Sequence, residues 1–232
     1  LLFYFIPNMF TKENSPDLEN PSAVKIETIT INGNPSAYQL EKDTLKINLK
    51  EELPPNDHAV VDIQYEFTLP KQGLRFNKNE TNYFLAQWYP MLATYRDNSW
   101  NKEEYRFKGE TYHTSFSDFK INYSISEDFT IVSSSDMDSF PSEHEGVLEE
   151  KQIKEFFMAL LKEPNIIQQK SDDVTIRVFG MDDKKELHQD ISEVALEAFN
   201  YFQHTIGPYP HKQLDIILDE LVKDIQYAKQ RV

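Results

Sequence analysis

The chain has 232 residues, which is enough for one large domain or two small ones with a substantial core. Its 39 acidic residues exceed its 24 Lys and Arg, and the net charge of −15 argues against binding to nucleic acid or anionic membranes, because both need a basic face. The absence of cysteine excludes disulfides, thiolate catalysis and cysteine-ligated metal. With 13% aromatic residues, the composition is typical of a globular protein rich in strand formers.

The chain opens with an apolar and aromatic run, Leu1 to Ile6. This run lacks a basic segment before it and a small-residue cleavage site after it, so it does not have the features of a signal peptide. No stretch of the sequence approaches the ~18 apolar residues of a membrane-spanning helix. Because no initiator Met precedes the run, we interpret it as a strand cut open by a truncation boundary.

The first two thirds of the sequence carry the period-two alternation of antiparallel strands. Four segments show it: Val24 to Ile31, Leu45 to Leu49, Val61 to Leu69, and Phe119 to Ile125. In the first segment the alternation changes phase near Thr28, which predicts a β-bulge. Asn32-Gly33 then predicts a tight hairpin turn, because both residues accept positive φ angles. Each strand is expected to bury one face, as in an antiparallel sandwich.

Helical spacing appears late in the chain. Apolar residues between Ile153 and Leu161 fit a helix that ends before Pro164, although a short buried strand also fits. A longer helix is predicted from Asp190, as part of a capping pair with Glu193, to a stop at Gly207-Pro208. Strands at Val174 to Val178 and at Leu214 to Leu218 flank this helix. The strand–helix–strand order predicts a domain boundary near residue 165.

No constellation in the sequence has the spacing of a catalytic or metal site. The nearest zinc-like string, His144-Glu145-x-x-Leu148, places a carbon side chain where the second ligand must stand. His204 and His211 flank a helix stop, which does not aim two imidazoles at one ion. Ser133-Ser134-Ser135 lacks the nucleophile elbow of serine hydrolases. We therefore assign no catalytic residue and no metal ligand.

The segment from Ile206 to Leu218 reads I-G-P-Y-P-H-K-Q-L-D-I-I-L. It resembles the approach to the active site in the aminopeptidase N-like zinc metallopeptidases, the gluzincin aminopeptidases, where a helix leads through Y-P into a strand reading l-D-i-v. Further blocks resemble the same family in the same order: Ile6 to Phe10, Val24 to Gly33, Leu45 to Leu69, Gln87 to Pro90 with Asp97 to Trp100, Phe116 to Ser135, and Val174 to Gly180. The G-x-M-E-N and H-E-x-x-H motifs that follow in the family are not present in this sequence.

The resemblance implies a mainly β fold with a C-terminal α/β segment. Residues 1–165 would form a saddle-like antiparallel β-sandwich domain whose opening strands are missing. Residues 166–232 would begin a thermolysin-like peptidase domain, as a strand–helix–strand unit truncated before the zinc motif.

The resemblance also implies that the chain is a fragment or truncated member of a zinc-dependent aminopeptidase family, inactive alone. Whether it is an enzyme stays open. Zinc is expected only in a full-length member, and a peptide substrate only with a complete catalytic domain. In the family, a Gln or Glu of the N-terminal domain holds the amine of the substrate, and Gln87 or Glu80 is the expected counterpart here. The alternative is a non-catalytic β-sandwich binding module derived from such a peptidase.

The predicted helix presents Val194, Ala198, Phe199 and Phe202 on one face, which the zinc-binding helices of the family would partly cover. We therefore expect either a homo-oligomer or packing against a missing domain. Helical spacing of apolar residues within Leu221 to Val232 offers another cover for this face. As to localisation, an extracellular or membrane-associated bacterial setting is favoured, with a cytoplasmic one left open.

Overall fold

The structure is a computed structural model that describes residues 1–71, 73, 75–79, 81–106 and 111–218. The described part of the chain forms β-strands, one 3-10 helix at Ile6–Phe10 and one α-helix, α1, at Lys185–Thr205. Strands of the first half are β1 Leu2–Tyr4, β2 Val24–Ile31, β3 Asn34–Pro35, β4 Tyr38–Glu41, β5 Thr44–Ile47, β6 Val61–Phe67, β7 Phe76–Lys78, β8 Tyr83–Leu85, β9 Met91–Leu92, β10 Thr94–Arg96 and β11 Ser99–Asn101. Those of the second half are β12 Ser117–Ser124, β13 Phe129–Ser133, β14 Glu145–Ile153, β15 Met158–Lys162, β16 Asn165–Ser171, β17 Val174–Gly180 and β18 Gln213–Leu218.

Two compact units make up the chain. The first contains Leu1–Lys120 and Glu149–Ala159, and the second contains Ile121–Leu148 and the described part of Leu160–Val232. The mainly β character and the single C-terminal helix among the described residues confirm the fold class expected from the sequence. The division into domains 1–165 and 166–232 stays a prediction.

The first unit contains several antiparallel sheets, one of which has strand β1 in its interior. The order of one sheet is β4-β5-β1-β9, and every neighbouring pair in it is antiparallel. Alternate side chains of the opening segment point to opposite sides, so Phe3 and Phe5 join one buried cluster while Tyr4 and Ile6 join another. A strand buried on both faces reads as a continuous apolar run, which accounts for the sequence of this segment.

The paired strands β2 and β6 confirm two predictions made from sequence. Their register shifts between Ile26 and Thr28, which is the expected β-bulge. The turn between β2 and β3 has φ angles of 49° at Asn32 and 76° at Gly33, as the hairpin prediction requires. In β6 the burial alternates along Val61–Phe67, so the polar residues face solvent.

The second unit contains a three-stranded sheet in the order β16-β17-β18. Strands β16 and β17 are antiparallel, whereas β17 and β18 are parallel and joined through helix α1. Strand β17 is buried along almost its whole length, and Val174 and Ile176 pack with Phe199 of the helix. The predicted strand–helix–strand order is therefore present. Within the described residues, no helix is long and apolar enough to cross a lipid bilayer.

Two details of the predicted elements are wrong. Residues 158–162 form the extended strand β15, so the helical interpretation of Ile153 to Leu161 fails and the strand alternative holds. Helix α1 starts at Lys185, five residues before the predicted start, so Asp190 lies inside the helix and caps nothing. Its N-cap, Lys184, makes no side-chain capping bond, which explains why the sequence carries no start signal at that point.

Candidate functional site

Gln87 lies in the first unit, in the turn between β8 and β9. Its side chain is buried, with 6% of the residue exposed, and its φ angle is 54°. A positive φ is uncommon for a residue with a long side chain and costs on the order of 1–3 kcal/mol. Other residues of this chain, such as Asn32 and Lys42, also have positive φ, so the angle shows only that the surrounding structure holds Gln87 in this turn.

The Gln87 amide is held by two partners from distant parts of the sequence. Its Nε2 donates a hydrogen bond of 2.6 Å to the Tyr112 hydroxyl and one of 3.2 Å to Glu155 Oε2. Both partners belong to the same compact unit as Gln87. The result is an amide and a carboxylate side by side, with Glu155 only partly buried.

Trp88 and Tyr89, which follow Gln87 in the sequence, belong to a cluster of aromatic rings. Tyr89 packs edge-on against Trp88 at a centroid distance of 5.4 Å and against Phe119 at 5.5 Å. The Tyr89 hydroxyl accepts a hydrogen bond of 3.0 Å from the backbone N–H of Phe156. Burial raises the pKa of Tyr89 to about 12, with the Glu155 charge adding to the increase and the Phe156 bond opposing it. Tyr89 is therefore a neutral hydroxyl at physiological pH.

Trp88 has a buried indole N–H without an acceptor among the described residues. An unpaired buried donor is uncommon and costs free energy, and an ammonium group could not satisfy it because an ammonium has no acceptor. This part of the first unit thus combines a partly buried carboxylate, a buried amide and several aromatic side chains. These are the features that bind an ammonium group, because carboxylate and carbonyl oxygens accept its hydrogen bonds and aromatic faces attract its charge.

Of the two residues expected to contact an amine, Gln87 takes part in this cluster and Glu80 lies outside the described residues. Sequence reasoning missed Glu155 altogether. It stands 68 positions from Gln87, and no motif or periodicity in Lys154-Glu155-Phe156 marks it. Only the fold brings the carboxylate to the amide.

A second polar cluster, in the other unit, is centred on Arg177. Its Nε donates to Asp215 Oδ1 and its Nη2 to Asp138 Oδ1, both at 2.7 Å. Asp138 also accepts hydrogen bonds from the backbone N–H and hydroxyl of Ser133. Burial raises the pKa of Asp215, although its bond to Arg177 opposes the increase. The signal available in the sequence was an aspartate inside an apolar strand, Leu214-Asp215-Ile216.

The Arg177 cluster satisfies its own donors and acceptors, so we interpret it as structural. Buried charges are retained when they are paired and hydrogen-bonded, and here one guanidinium serves two carboxylates. It also fixes the segment that follows β13 to the strand pair β17–β18, all within one unit.

The zinc-like string does not fit a zinc ion. Glu145 opens strand β14 and Leu148 is buried within it, so no helical turn aligns the residues of His144-Glu145-x-x-Leu148. His144 instead approaches Glu127 at 3.6 Å on the surface. His204 is exposed on the last turn of α1, and His211 Nδ1 lies 4.0 Å from Asp136. Because these residues do not match a zinc site, no chemical step is assigned to a metal here.

Comparisons with known proteins give structural relatives only. No family profile matches the sequence, and no curated protein matches it. The structure is similar to the crystal structure of an M1 zinc metallopeptidase from Deinococcus radiodurans, with a TM-score of 0.53 and 11% identity over 94% of this chain and 48% of that one. A two-domain M1 zinc metallopeptidase mutant bound to L-arginine has a TM-score of 0.50 and 12% identity over 87% of this chain and 49% of that one.

A further similar structure is a two-domain M1 zinc metallopeptidase mutant bound to L-tryptophan, with a TM-score of 0.50 and 11% identity. At such identities the likeness concerns the fold. The chain spans about half the length of these structures.

Proposed function

We propose that this chain is the β-rich part and the first strand–helix–strand of a zinc-aminopeptidase-like protein, and that its own contribution is recognition of a free amine. The observation that carries the proposal is the contact between Gln87 and Glu155, at 3.2 Å, in aromatic surroundings. The bound L-arginine and L-tryptophan of two structural relatives support it, because each carries a free α-amine.

In this function the Glu155 carboxylate supplies the negative charge and Gln87 supplies a carbonyl oxygen. A protonated amine accepts no hydrogen bonds and donates three, so we place it beside the Gln87–Glu155 pair, with the Glu155 carboxylate and the Gln87 carbonyl oxygen as its acceptors. The Tyr112 hydroxyl holds the Gln87 amide in position, and the backbone N–H of Phe156 fixes the neighbouring Tyr89 hydroxyl. The 232 residues contain no H-E-x-x-H motif, so we propose that they do not hydrolyse peptides on their own.

Titration of the chain with phenylalaninamide, followed by NMR or calorimetry, tests amine recognition. N-acetylphenylalaninamide is the matched ligand without a charged amine, and it should not bind. Glu155→Gln should weaken binding by about tenfold or more, since hydrogen bonds to charged groups contribute ~1.5–3 kcal/mol. Glu52→Gln, an exposed carboxylate of the same unit, is the matched control and should bind as the unmodified chain does.

Catalytic inactivity is tested by incubating the chain with zinc and aminoacyl-arylamide substrates. The expected result is no release of arylamine. EDTA-sensitive release would refute the proposal of inactivity. Equal affinity for the amine and its acetylated analogue would refute amine recognition, and it would favour the alternative of a non-catalytic interaction module.

A further inference from the structure

One face of helix α1 is buried, and a second, apolar face is exposed among the residues that the structure describes. The buried face carries His188, Ser192 and Phe199, and it packs on the sheet of the second unit. Ser192 accepts a hydrogen bond of 2.7 Å from Gln169 in strand β16, which fixes this face to the sheet. The helix is thus anchored, and its outward face is a rigid surface.

The outward face carries a continuous apolar stripe, which consists of Leu187, Ile191, Val194, Ala198 and Tyr201. Leu187, Val194 and Tyr201 are 49%, 64% and 63% exposed. Successive members are separated by alternating steps of four and three residues, which is the spacing that keeps side chains facing a partner helix. A contiguous exposed apolar patch marks an interaction site more often than singly scattered apolar residues do.

The stripe continues sideways into a groove within the same unit. Phe202 and Ile206 extend the exposed apolar surface, and the groove beside them is lined by Phe199, Tyr209 and Leu214. The rings of Phe199 and Tyr209 meet edge-on at 5.5 Å and form its floor. The surface is therefore concave on one side of the stripe, and amphipathic helices bind in apolar grooves of this kind.

The other side of the stripe is acidic. Asp190, Glu193 and Glu197 run along it, all exposed, and the whole chain carries a net charge of −15. Pairing two copies of this helix antiparallel would bring Asp190 and Glu197 of one copy against the same residues of the other. Like charges across a helix interface are unfavourable, whereas Lys or Arg at the facing positions would be attracted.

From this arrangement we infer that the stripe binds an amphipathic α-helix of another protein, with apolar residues at four-three spacing and Lys or Arg along one flank. The apolar side chains of that helix cover Val194 and Tyr201 and enter the groove at Phe202. Its basic flank lies beside Asp190 and Glu197. The interaction is independent of amine recognition, which takes place in the other unit.

The probe is a fluorescent 21-residue helical peptide with Leu at four-three spacing and Lys on one flank, titrated with the full chain and followed by anisotropy. A second peptide has Glu in place of every Lys. The Lys peptide should bind at least about tenfold more tightly, and the preference should fall as salt is raised. Equal binding of both peptides, or no binding of either, overturns the inference.

Two variants locate the interaction. Val194→Asp should weaken binding of the Lys peptide by about tenfold or more, because it places a charge in the apolar stripe. Val60→Asp, at an exposed valine of the other unit, is the matched control and should bind normally. Glu197→Lys combined with Asp190→Lys should reverse the preference towards the Glu peptide. If ultracentrifugation instead shows a homodimer that Val194→Asp dissociates, a second copy occupies the stripe and the inference is wrong.

Discussion

Arg177 and Asp215 are direct register partners across the parallel strands β17 and β18, and the guanidinium Nε donates a hydrogen bond of 2.7 Å to Asp215. Because Asp138 binds the same guanidinium, one buried cation is shared by two carboxylates. Strands β17 and β18 are therefore held together by a buried ion pair as well as by their backbone hydrogen bonds. Removing the cation leaves two negative charges facing each other in a desolvated place.

Arg177→Leu is expected to lower the free energy of unfolding by about 3–5 kcal/mol, because breaking a buried ion pair leaves uncompensated charge. Arg177→Lys should cost less, since it keeps the charge but loses the fork-shaped hydrogen bonding. Urea denaturation followed by fluorescence measures both. A loss below about 1 kcal/mol for Arg177→Leu would show that the cluster is solvated in solution.

Titration of Asp215 should contribute to the way the free energy of unfolding changes with pH. Burial raises its pKa above the ordinary 3.8, so between that value and the raised one the folded state holds more protons than the unfolded state. The contribution of Asp215 to stability is therefore fully present below 3.8 and is lost as pH rises through the folded pKa. The free energy of unfolding of the unmodified chain should be compared with that of Asp215→Asn. The difference in favour of the aspartate should decrease as the pH rises from 3.8 through the folded-state pKa of Asp215. An advantage that grows with pH would contradict the direction of the shift.

Gly180 leaves room for the buried His188 ring. A Cβ at Gly180 would lie 2.0 Å from His188 Cε1, which is far inside van der Waals contact. Gly180→Ala should therefore destabilise the second unit by about 1–3 kcal/mol, the usual cost of overpacking. In the His188→Ala background the same change should cost less than about 0.5 kcal/mol, because the ring is gone. Thermal denaturation of the four proteins gives the cycle, and additive losses would rule out the steric explanation.

Lys102 and Asp43 form a buried ion pair at 2.8 Å in the first unit, and the Lys102 ammonium also lies 4.6 Å above the Tyr4 ring. Asp43→Ala should lower the free energy of unfolding by about 3–5 kcal/mol, because it leaves the ammonium unpaired. The double variant Asp43→Ala/Lys102→Met should recover part of that loss. If the double variant is as unstable as the sum of the single ones, the charge pairing is not what stabilises this region.

Local patterns in the sequence predicted local structure well. The alternation in Val61–Phe67, the phase change near Thr28 and the Asn32-Gly33 turn each depend on neighbouring residues, and the structure confirms all three. The long helix was found from its apolar period, but its start was placed too late because Lys184 offers no capping side chain. Local structure can thus be predicted from sequence where it depends on how a side chain interacts with its own neighbouring backbone.

Long-range assembly was not predictable in the same way. Glu155 lies 68 positions from Gln87, and Asp138 lies 39 positions from Arg177, so only the folded chain brings each pair together. The helical interpretation of residues 153–161 failed since a short apolar run fits either period, and burial within a sheet decides between them. Gln87 itself was identified only through the resemblance, since its backbone strain has no sequence signature.

The topology of the β16-β17-β18 sheet has a consequence for the order of folding. Strands β16 and β17 are joined by a turn at Asp172 and Asp173, whereas Arg177 and Asp215 are 38 positions apart and joined through the whole of α1. Contacts between distant residues form later because the loop-closure entropy must be overcome first. The hairpin should therefore gain hydrogen-exchange protection before β18 does, in a pulse-labelling experiment. During synthesis, Arg177 leaves the ribosome well before Asp215, so of its two folded-state partners only Asp138 is available until β18 has been made.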